Sequence, residues 1–143
     1  DEGRPVKGAG SIGVAALWGL VSALSAGAQT HPPDAPPLPS GQSVTPLDAH
    51  LEEQANGDVL LVLRYLAPRV ARARGDLDYD DVAADLDALC DGPGLTMAAA
   101  TAAMPDEIVI VLIDRAVPRG VADPEATQFV GAYAPAPEGC QWQ

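Results

Sequence analysis

Lysine, aromatic residues and cysteine are scarce in this chain. Lysine occurs only at Lys7, aromatic residues make up 4% of the 143 residues, and there are two cysteines. Acidic residues number 20 against eight lysines and arginines, which gives a formal net charge of -12. A surface this acidic repels phosphate backbones and anionic lipid headgroups. The charge therefore excludes nucleic acid as a partner and allows a polar or cationic one.

Recognisable catalytic and metal-binding motifs are also missing. The chain has no G-x-S-x-G, no phosphate-binding glycine loop and no zinc-ligand spacing. The acidic run from Asp76 overlays a calcium loop, but Asp81 stands where an EF-hand needs glycine and Asp87 where it needs glutamate. His31 and His50 lie near no nucleophile or ligand set at a recognisable spacing. We therefore predict no catalytic, cofactor-binding or metal-binding residues, and a protein that is not an enzyme.

Residues 1–28 have the composition of an export signal. Arg4 and Lys7 precede an uncharged stretch over residues 8–28, which ends in an A-x-A type of cleavage site, Ala26-Gly27-Ala28. A membrane helix needs about 20 apolar residues, and this stretch just reaches that length. The sequence thus leaves two interpretations open: a cleaved signal peptide, or an apolar helix that anchors the protein in a membrane.

A proline-rich segment separates this N-terminus from the rest of the chain. Residues 29–40 contain PPDAPPLP, which cannot form a regular helix or sheet because proline fixes φ and lacks an amide donor. We predict an extended, partly polyproline linker over these residues. Residues 41–143 are then left to build a core, and they suffice for one small acidic domain.

Strand patterns surround two turns in this domain. The runs Ser43–Gln54 and Asp58–Pro68 flank Asn56-Gly57, which is the strongest short-range signal for a β-hairpin. Pro46 favours an edge position for the first strand, and the second, apolar apart from Arg64, should be central. A β-branched run, EIVIVLIDR, predicts a buried strand further on, and TQFVGAYAP and CQWQ around APEG predict a second hairpin.

One amphipathic helix is predicted between the two hairpins. Apolar residues recur at helical spacing from Tyr79 to Cys90, Asp78 is a good N-cap, and Gly92-Pro93-Gly94 should end the helix. Acidic residues are expected on its solvent face: Asp80, Asp81, Asp85 and Asp87. The order β-β-α-β-β-β predicts an α+β fold with a mainly antiparallel sheet and this helix on one face, preceded by the N-terminal apolar helix and the linker.

Cys90 and Cys140 form an even pair in a chain that carries an export pattern. Thiols oxidise outside the cytoplasm, so a disulfide would tie the helix end to the C-terminal strand. A redox pair is the alternative, but there is no C-x-x-C motif. We predict the structural disulfide, with Trp142 packed over it as a lid of the core.

Arginines cluster just before the acidic helix. Taken alone they resemble an anion site, but seven acids over residues 76–91 follow directly, and we predict pairing within the chain. The four arginines are Arg64, Arg69, Arg72 and Arg74. Arg115 and Arg119 would mark either the rim of a pocket or a solvated loop.

The segments ALCD, IVIVLIDRAVP and PEATQFVGAY, followed by CQW, resemble those of an uncharacterised family of small exported proteins from alphaproteobacteria, a domain of unknown function. The resemblance covers most of residues 40–143, and PEATQF is its most specific piece. It implies an exported domain with paired cysteines that match Cys90 and Cys140. It implies no activity, so no functional residues are carried over.

Three functions are compatible with the sequence. The first is a non-enzymatic periplasmic domain that binds another protein and is soluble after cleavage at Ala28. The second is an accessory subunit of a membrane complex, held in the inner membrane by an uncleaved helix over residues 8–28 with the domain on the periplasmic side. The third is a small periplasmic hydrolase or ligand-binding enzyme, which would need a pocket that joins His50 or Arg115 to carboxylates.

Overall fold

A computed structural model describes Gly3 and residues 30–143. The predicted N-terminal helix over residues 8–28 lies outside this part of the chain. Among the residues described, no helix combines the length and the apolar character needed to cross a membrane.

Five strands form one sheet whose spatial order follows the chain order. Neighbouring strands are antiparallel except β2 and β3, which are parallel. The strands are β1 (Thr45–Glu53), β2 (Val59–Leu66), β3 (Glu107–Ile113), β4 (Gln128–Ala136) and β5 (Gly139–Trp142). The helices are α1 (Tyr79–Leu89) and the short α2 (Leu95–Ala99), with a 3₁₀ turn at Pro68–Val70. The predicted α+β class with a mainly antiparallel sheet and a helix on one face is confirmed.

Both predicted hairpins form. Asn56 accepts a hydrogen bond from the Asp58 amide, and Gly57 adopts φ +90, a conformation open to glycine at no steric cost. The first hairpin places β1 at the edge of the sheet and β2 inside it, as predicted. Parallel strands need a crossover connection, and α1 supplies it between β2 and β3.

α1 begins at its predicted N-cap. The Asp78 side chain accepts the amide of Asp81, and the Asp81 side chain accepts the amide of Asp78. This reciprocal arrangement is a capping box, which satisfies two amides that the first turn leaves without partners.

The core lies between α1 and the sheet. Alternate residues of β2 and β3 face the helix, whose residues Val82, Leu86 and Leu89 are fully buried against them. Each such side chain contributes about 1.5–3 kcal/mol on burial. The other large fully buried apolar residues of this core are Leu63, Tyr65, Ile108, Ile110, Leu112 and Tyr133.

The helical path continues past the predicted stop at Gly92-Pro93-Gly94. A π-turn over Cys90–Gly94 follows α1 and leads into α2, and the Leu95 amide donates to the carbonyl of Cys90. The wider turn accommodates Pro93, which has no amide to donate. A Cβ on Gly94 would lie 3.2 Å from Cγ2 of Ile108, so the glycine permits close approach to β3.

The proline-rich segment is extended but packs against the domain. Leu38 is buried and belongs to the main core, and the Tyr65 hydroxyl donates to the carbonyl of Pro33 over 2.8 Å. Thr30 forms an isolated bridge with Ala49 of β1. Residues of the predicted linker therefore contribute to the folded unit instead of only preceding it.

Asp85 is buried, although it was expected on the solvent face of α1. The side chain is 0% exposed, and its carboxylate accepts the amide of Ser40 at 2.9 Å, the Ser40 hydroxyl at 2.5 Å and the Gln42 side-chain amide at 2.8 Å. A buried carboxylate is costly unless it is hydrogen-bonded. Three donors from the end of the proline-rich segment satisfy it and fix that segment to α1.

Candidate functional site

A cleft lies between α1 and the C-terminal strand. Its volume is about 290 Å³, and it is lined by Tyr79, Ala83 and Asp87 of α1 and by Trp142 of β5. Each of the three helix residues is four positions from the next, so they share one face of α1, beside the face that packs into the core. We call this feature the α1–β5 cleft.

Aromatic rings form two opposite walls of the α1–β5 cleft. Tyr79 meets Phe129 edge to face with ring centroids 5.7 Å apart, and Trp142 meets Tyr133 in the same way at 5.4 Å. Trp142 and Tyr133 are paired in register across β4 and β5, so both side chains lie on the helix face of the sheet. Four of the six aromatic residues of the chain are therefore gathered here.

Trp142 is not the buried lid that the sequence suggested. Its side chain is 55% exposed, and Tyr79 across the cleft is 36% exposed. Trp142 lies near the end of a four-residue strand at the edge of the sheet, where it packs against Tyr133 on one side and faces solvent on the other.

Tyr133 packs against Trp142 and connects it to α1. Its ring is buried, and its hydroxyl donates to Oδ1 of Asp87 over 2.7 Å. The ring lies back over Gly131, where an added Cβ would be 2.8 Å from it. Burial raises the pKa of Tyr133, and the hydrogen bond to Asp87 and the charges of Asp87 and Asp91 raise it further.

A disulfide joins the two sides of the α1–β5 cleft. Cys90, three residues after Asp87, is bonded to Cys140, two residues before Trp142. The carboxylate of Asp91 also accepts the amide of Cys140 over 2.8 Å. These contacts hold β5 against the end of α1 and fix the spacing of the walls.

The charges around the α1–β5 cleft are negative. Asp80 and Asp87 lie on the exposed surface of α1, and Asp91 follows it. Within residues 30–143, no arginine or histidine is within ion-pair distance of these three carboxylates.

The predicted cluster of four arginines is dispersed. Arg69 pairs with Asp76, as the prediction of local pairing required. Arg64 instead makes a bidentate pair with Asp48 of β1, and Arg72 donates to the carbonyl of Pro124. Proximity in the sequence did not predict the partner of Arg64, because its side chain points to the face of the sheet opposite the helix.

Arg64 lies in a second cleft on that opposite face. The cleft has a volume of about 380 Å³, and its polar lining residues are Glu52, Arg64, Arg119 and Gln128. Arg64 also donates to the carbonyl of Val117, and Arg119 pairs with Glu52. The charged groups of this cleft therefore already neutralise one another.

Asp48 is the buried acid that pairs with Arg64 of this second cleft. Burial alone would raise its pKa, but the hydrogen bonds and charge of Arg64, together with His50, lower the pKa below the ordinary 3.8. The pKa of Glu52 is also lowered, chiefly by its hydrogen bond from Arg119. Both carboxyls therefore remain ionised under mildly acidic conditions.

The hydrolase hypothesis requires a pocket that joins His50 or Arg115 to carboxylates, and the structure meets this only in part. His50 Nε2 lies 3.1 Å from Oδ1 of Asp48, while Arg115 pairs with the neighbouring Asp114. The hydroxyls of Ser40 and Thr101 donate to Asp85 and to backbone carbonyls, and both cysteines are in the disulfide. The part of the chain that the structure describes contains no group of three or more His, Cys, Asp or Glu side chains arranged to hold a metal.

Two spacings in the sequence are compatible with the α1–β5 cleft but do not specify it. Tyr79, Ala83 and Asp87 recur every four residues, as on one face of a helix, and Cys140 and Trp142 are two residues apart, so they lie on the same face of β5. Only the paired cysteines indicated that the helix end and this strand meet.

Comparison with known proteins gives one match. The Family of unknown function (DUF6497) matches residues 18–143. Neither the curated proteins nor the solved structures give a match.

Proposed function

The chain belongs to the DUF6497 family, whose function is unknown, and we propose that it is an exported, non-enzymatic domain that binds another protein through the α1–β5 cleft. The observation that carries this proposal is the exposure of Trp142 beside Tyr79 in a chain with few aromatic residues. Tryptophan and tyrosine dominate the energetics of protein interfaces because they bury large areas at low entropic cost.

The covalent and hydrogen-bonded support of the cleft favours the same proposal. The disulfide and the Asp91 contact hold β5 on α1, so the two exposed rings keep their separation before a partner arrives. A preformed surface avoids part of the ordering cost of association. An exposed tryptophan on a fixed strand is better suited to contacting a partner protein than to filling the core of its own domain.

Export is supported by the disulfide and by the sequence. Disulfides persist in oxidising compartments such as the periplasm, and residues 1–28 carry the pattern of an export signal. We infer a periplasmic location for residues 29–143, as expected of the family of small exported proteins that the sequence resembles.

The alternative role as a subunit of a membrane complex uses the same cleft. It differs in the fate of residues 8–28, which are uncharged and marginally long enough to span a bilayer. Sequencing the N-terminus of the native protein from membranes and from periplasm separates the two. Retention of residues 8–28 would favour the subunit and rule out cleavage at Ala28.

The binding proposal is tested by affinity capture with matched variants of the full chain. Proteins captured from native extracts are quantified for the unchanged protein, for Trp142→Ala and for Val130→Ala. Val130 is 43% exposed on the face of the sheet opposite the helix, so it controls for loss of an exposed apolar side chain. We expect a partner that Val130→Ala retains and Trp142→Ala loses. An unchanged set of captured proteins with Trp142→Ala would contradict the proposal.

A further inference from the structure

We propose that the α1–β5 cleft receives an arginine or lysine side chain from the partner protein. This inference rests on the proposed function, because it names the chemistry of the group that the binding surface takes. Three observations support the proposal: the exposed aromatic rings, the carboxylates that have no ion-pair partner, and the partly occupied edge of β5.

The aromatic walls suit a positively charged group. The faces of tryptophan and tyrosine attract ammonium and guanidinium groups placed within about 6 Å of the ring centroid. Tyr79 and Trp142 each use one ring contact for a neighbour and leave 36% and 55% of their surface open. A cationic side chain between them would contact both rings along its alkyl portion or its charged head.

The electrostatics of the α1–β5 cleft complement such a group. Oδ1 of Asp87 accepts the Tyr133 hydroxyl, and no hydrogen bond among residues 30–143 engages Oδ2. Burial is the main cause of the raised pKa of Tyr133, and the charges of Asp87 and Asp91 raise it further, as expected for negative groups near the ring. No ion pair from the described residues neutralises these acids, so their negative charge is available to a cationic group of a partner.

The edge of β5 favours insertion of a side chain over addition of a strand. The Gln143 amide donates to Ala132 of β4, so by alternation the amides of Cys140 and Trp142 point away from β4. Asp91 already accepts the Cys140 amide. One of the two outward amides of this short strand is therefore occupied, which weakens it as a template for another strand.

The test uses a matched pair of peptides and the full chain. The first probe is a blocked glycine-rich pentapeptide with a central arginine, and the second carries citrulline, which has the same shape without the charge. Binding is followed by the shift of the indole N–H signal of Trp142 in NMR spectra. Trp18 provides the reference signal, and Trp142→Phe assigns the two.

We expect the arginine peptide to shift the Trp142 signal and to bind about tenfold more tightly than the citrulline peptide. Asp87→Asn should weaken binding of the arginine peptide about two- to fivefold through loss of an exposed carboxylate charge. Glu53→Gln removes the same charge from an exposed site on β1 and should leave the affinity unchanged.

Equal affinity for the two peptides, or a shift confined to Trp18, would overturn the inference. Binding of tetramethylammonium as tight as that of the arginine peptide would assign the cleft to a small organic cation and overturn it also. Failure of the arginine peptide, together with loss of a captured partner in Trp142→Ala, would reject the cationic group and retain the proposed binding surface.

Discussion

Two acidic side chains, Asp85 and Asp48, are buried on opposite faces of the sheet, and each has a different kind of partner. Asp85 accepts neutral donors from Ser40 and Gln42, whereas Asp48 accepts the guanidinium of Arg64. Removing one partner from a buried polar set leaves the other unsatisfied, which costs more than the set contributes. Both residues therefore allow predictions about stability.

Asp85→Ala is expected to destabilise the protein. The substitution leaves the donors of Ser40 and Gln42 buried without an acceptor, and we expect a loss of about 2–4 kcal/mol in the free energy of unfolding. Urea denaturation measures it. Asp34→Asn, at an exposed position in the same segment, should change stability by less than about 0.5 kcal/mol. Equal effects of the two substitutions would show that the Asp85 contacts do not contribute to the free energy of unfolding.

Asp48→Leu and Arg64→Met should each cost about 3–5 kcal/mol, because each leaves one buried charge without its partner. The double variant Asp48→Leu/Arg64→Met removes both charges and should be close to the unchanged protein in stability. Denaturant unfolding of the three variants measures the coupling. Additive losses in the double variant would contradict a paired, buried contact.

The lowered pKa of Asp48 also predicts a dependence of stability on pH. A carboxyl whose pKa is lower in the folded state contributes stability above its ordinary value of 3.8 and loses it as pH falls through the folded value. The unfolding free energy should therefore decline on acidification below about pH 4. The Asp48→Leu/Arg64→Met variant should decline less over that window. An identical pH profile for both proteins would rule out this contribution.

At the scale of elements, two departures from regular secondary structure shape the α1–β5 cleft: a π-turn after α1 and a glycine inside β4. The π-turn at Cys90–Gly94 carries the chain from α1 to α2 and delivers Cys90 to β5. Gly131 in β4 leaves space for the ring of Tyr133. A glycine inside a strand often marks such a close approach.

Gly131→Ala should displace Tyr133. The new Cβ would lie 2.8 Å from the ring, so the ring must move and its contacts with Asp87 and Trp142 must change. Overpacking of this kind costs about 1–3 kcal/mol. The near-ultraviolet circular dichroism of the aromatic residues should change along with stability. Val130→Ala, at the next position on the opposite face, should leave that spectrum intact, and a change of equal size in both would contradict the role of Gly131.

The elements themselves were predictable because their signals are local. Asn56-Gly57 between two apolar runs indicated a hairpin, and Asp78 followed by apolar residues at helical spacing indicated α1. The burial of Asp85 had a local signal as well, since it lies three residues after the buried Val82. Its donors come from Ser40 and Gln42, more than 40 residues away, and no local pattern indicates them.

At the scale of the whole molecule, the C-terminal hairpin depends on a covalent connection. β5 has four residues and pairs only with β4 in the described sheet, while the disulfide ties it to the end of α1. The cysteine pairing was predictable from the count of two and the export pattern. The α1–β5 cleft was not, because it requires the distance between α1 and β5 to be known.

Loss of the disulfide should affect the whole fold. Cys90 and Cys140 are 50 residues apart, and the chain-entropy model assigns a loop of this length about 4 kcal/mol. Cys90→Ala/Cys140→Ala should lower the free energy of unfolding by about that amount and should be insensitive to added reductant. Equal stability of the oxidised, reduced and double-alanine proteins would show that the disulfide does not support the fold.

The central claim is that the α1–β5 cleft is the surface through which this protein binds its partner. Site-specific photo-cross-linking in native cells tests it most directly, with a photoreactive phenylalanine derivative placed at position 142 and, as a control, at position 130. The account predicts a discrete cross-linked species from position 142 that position 130 does not give. Cross-links from position 130 alone, or none from position 142, would contradict it.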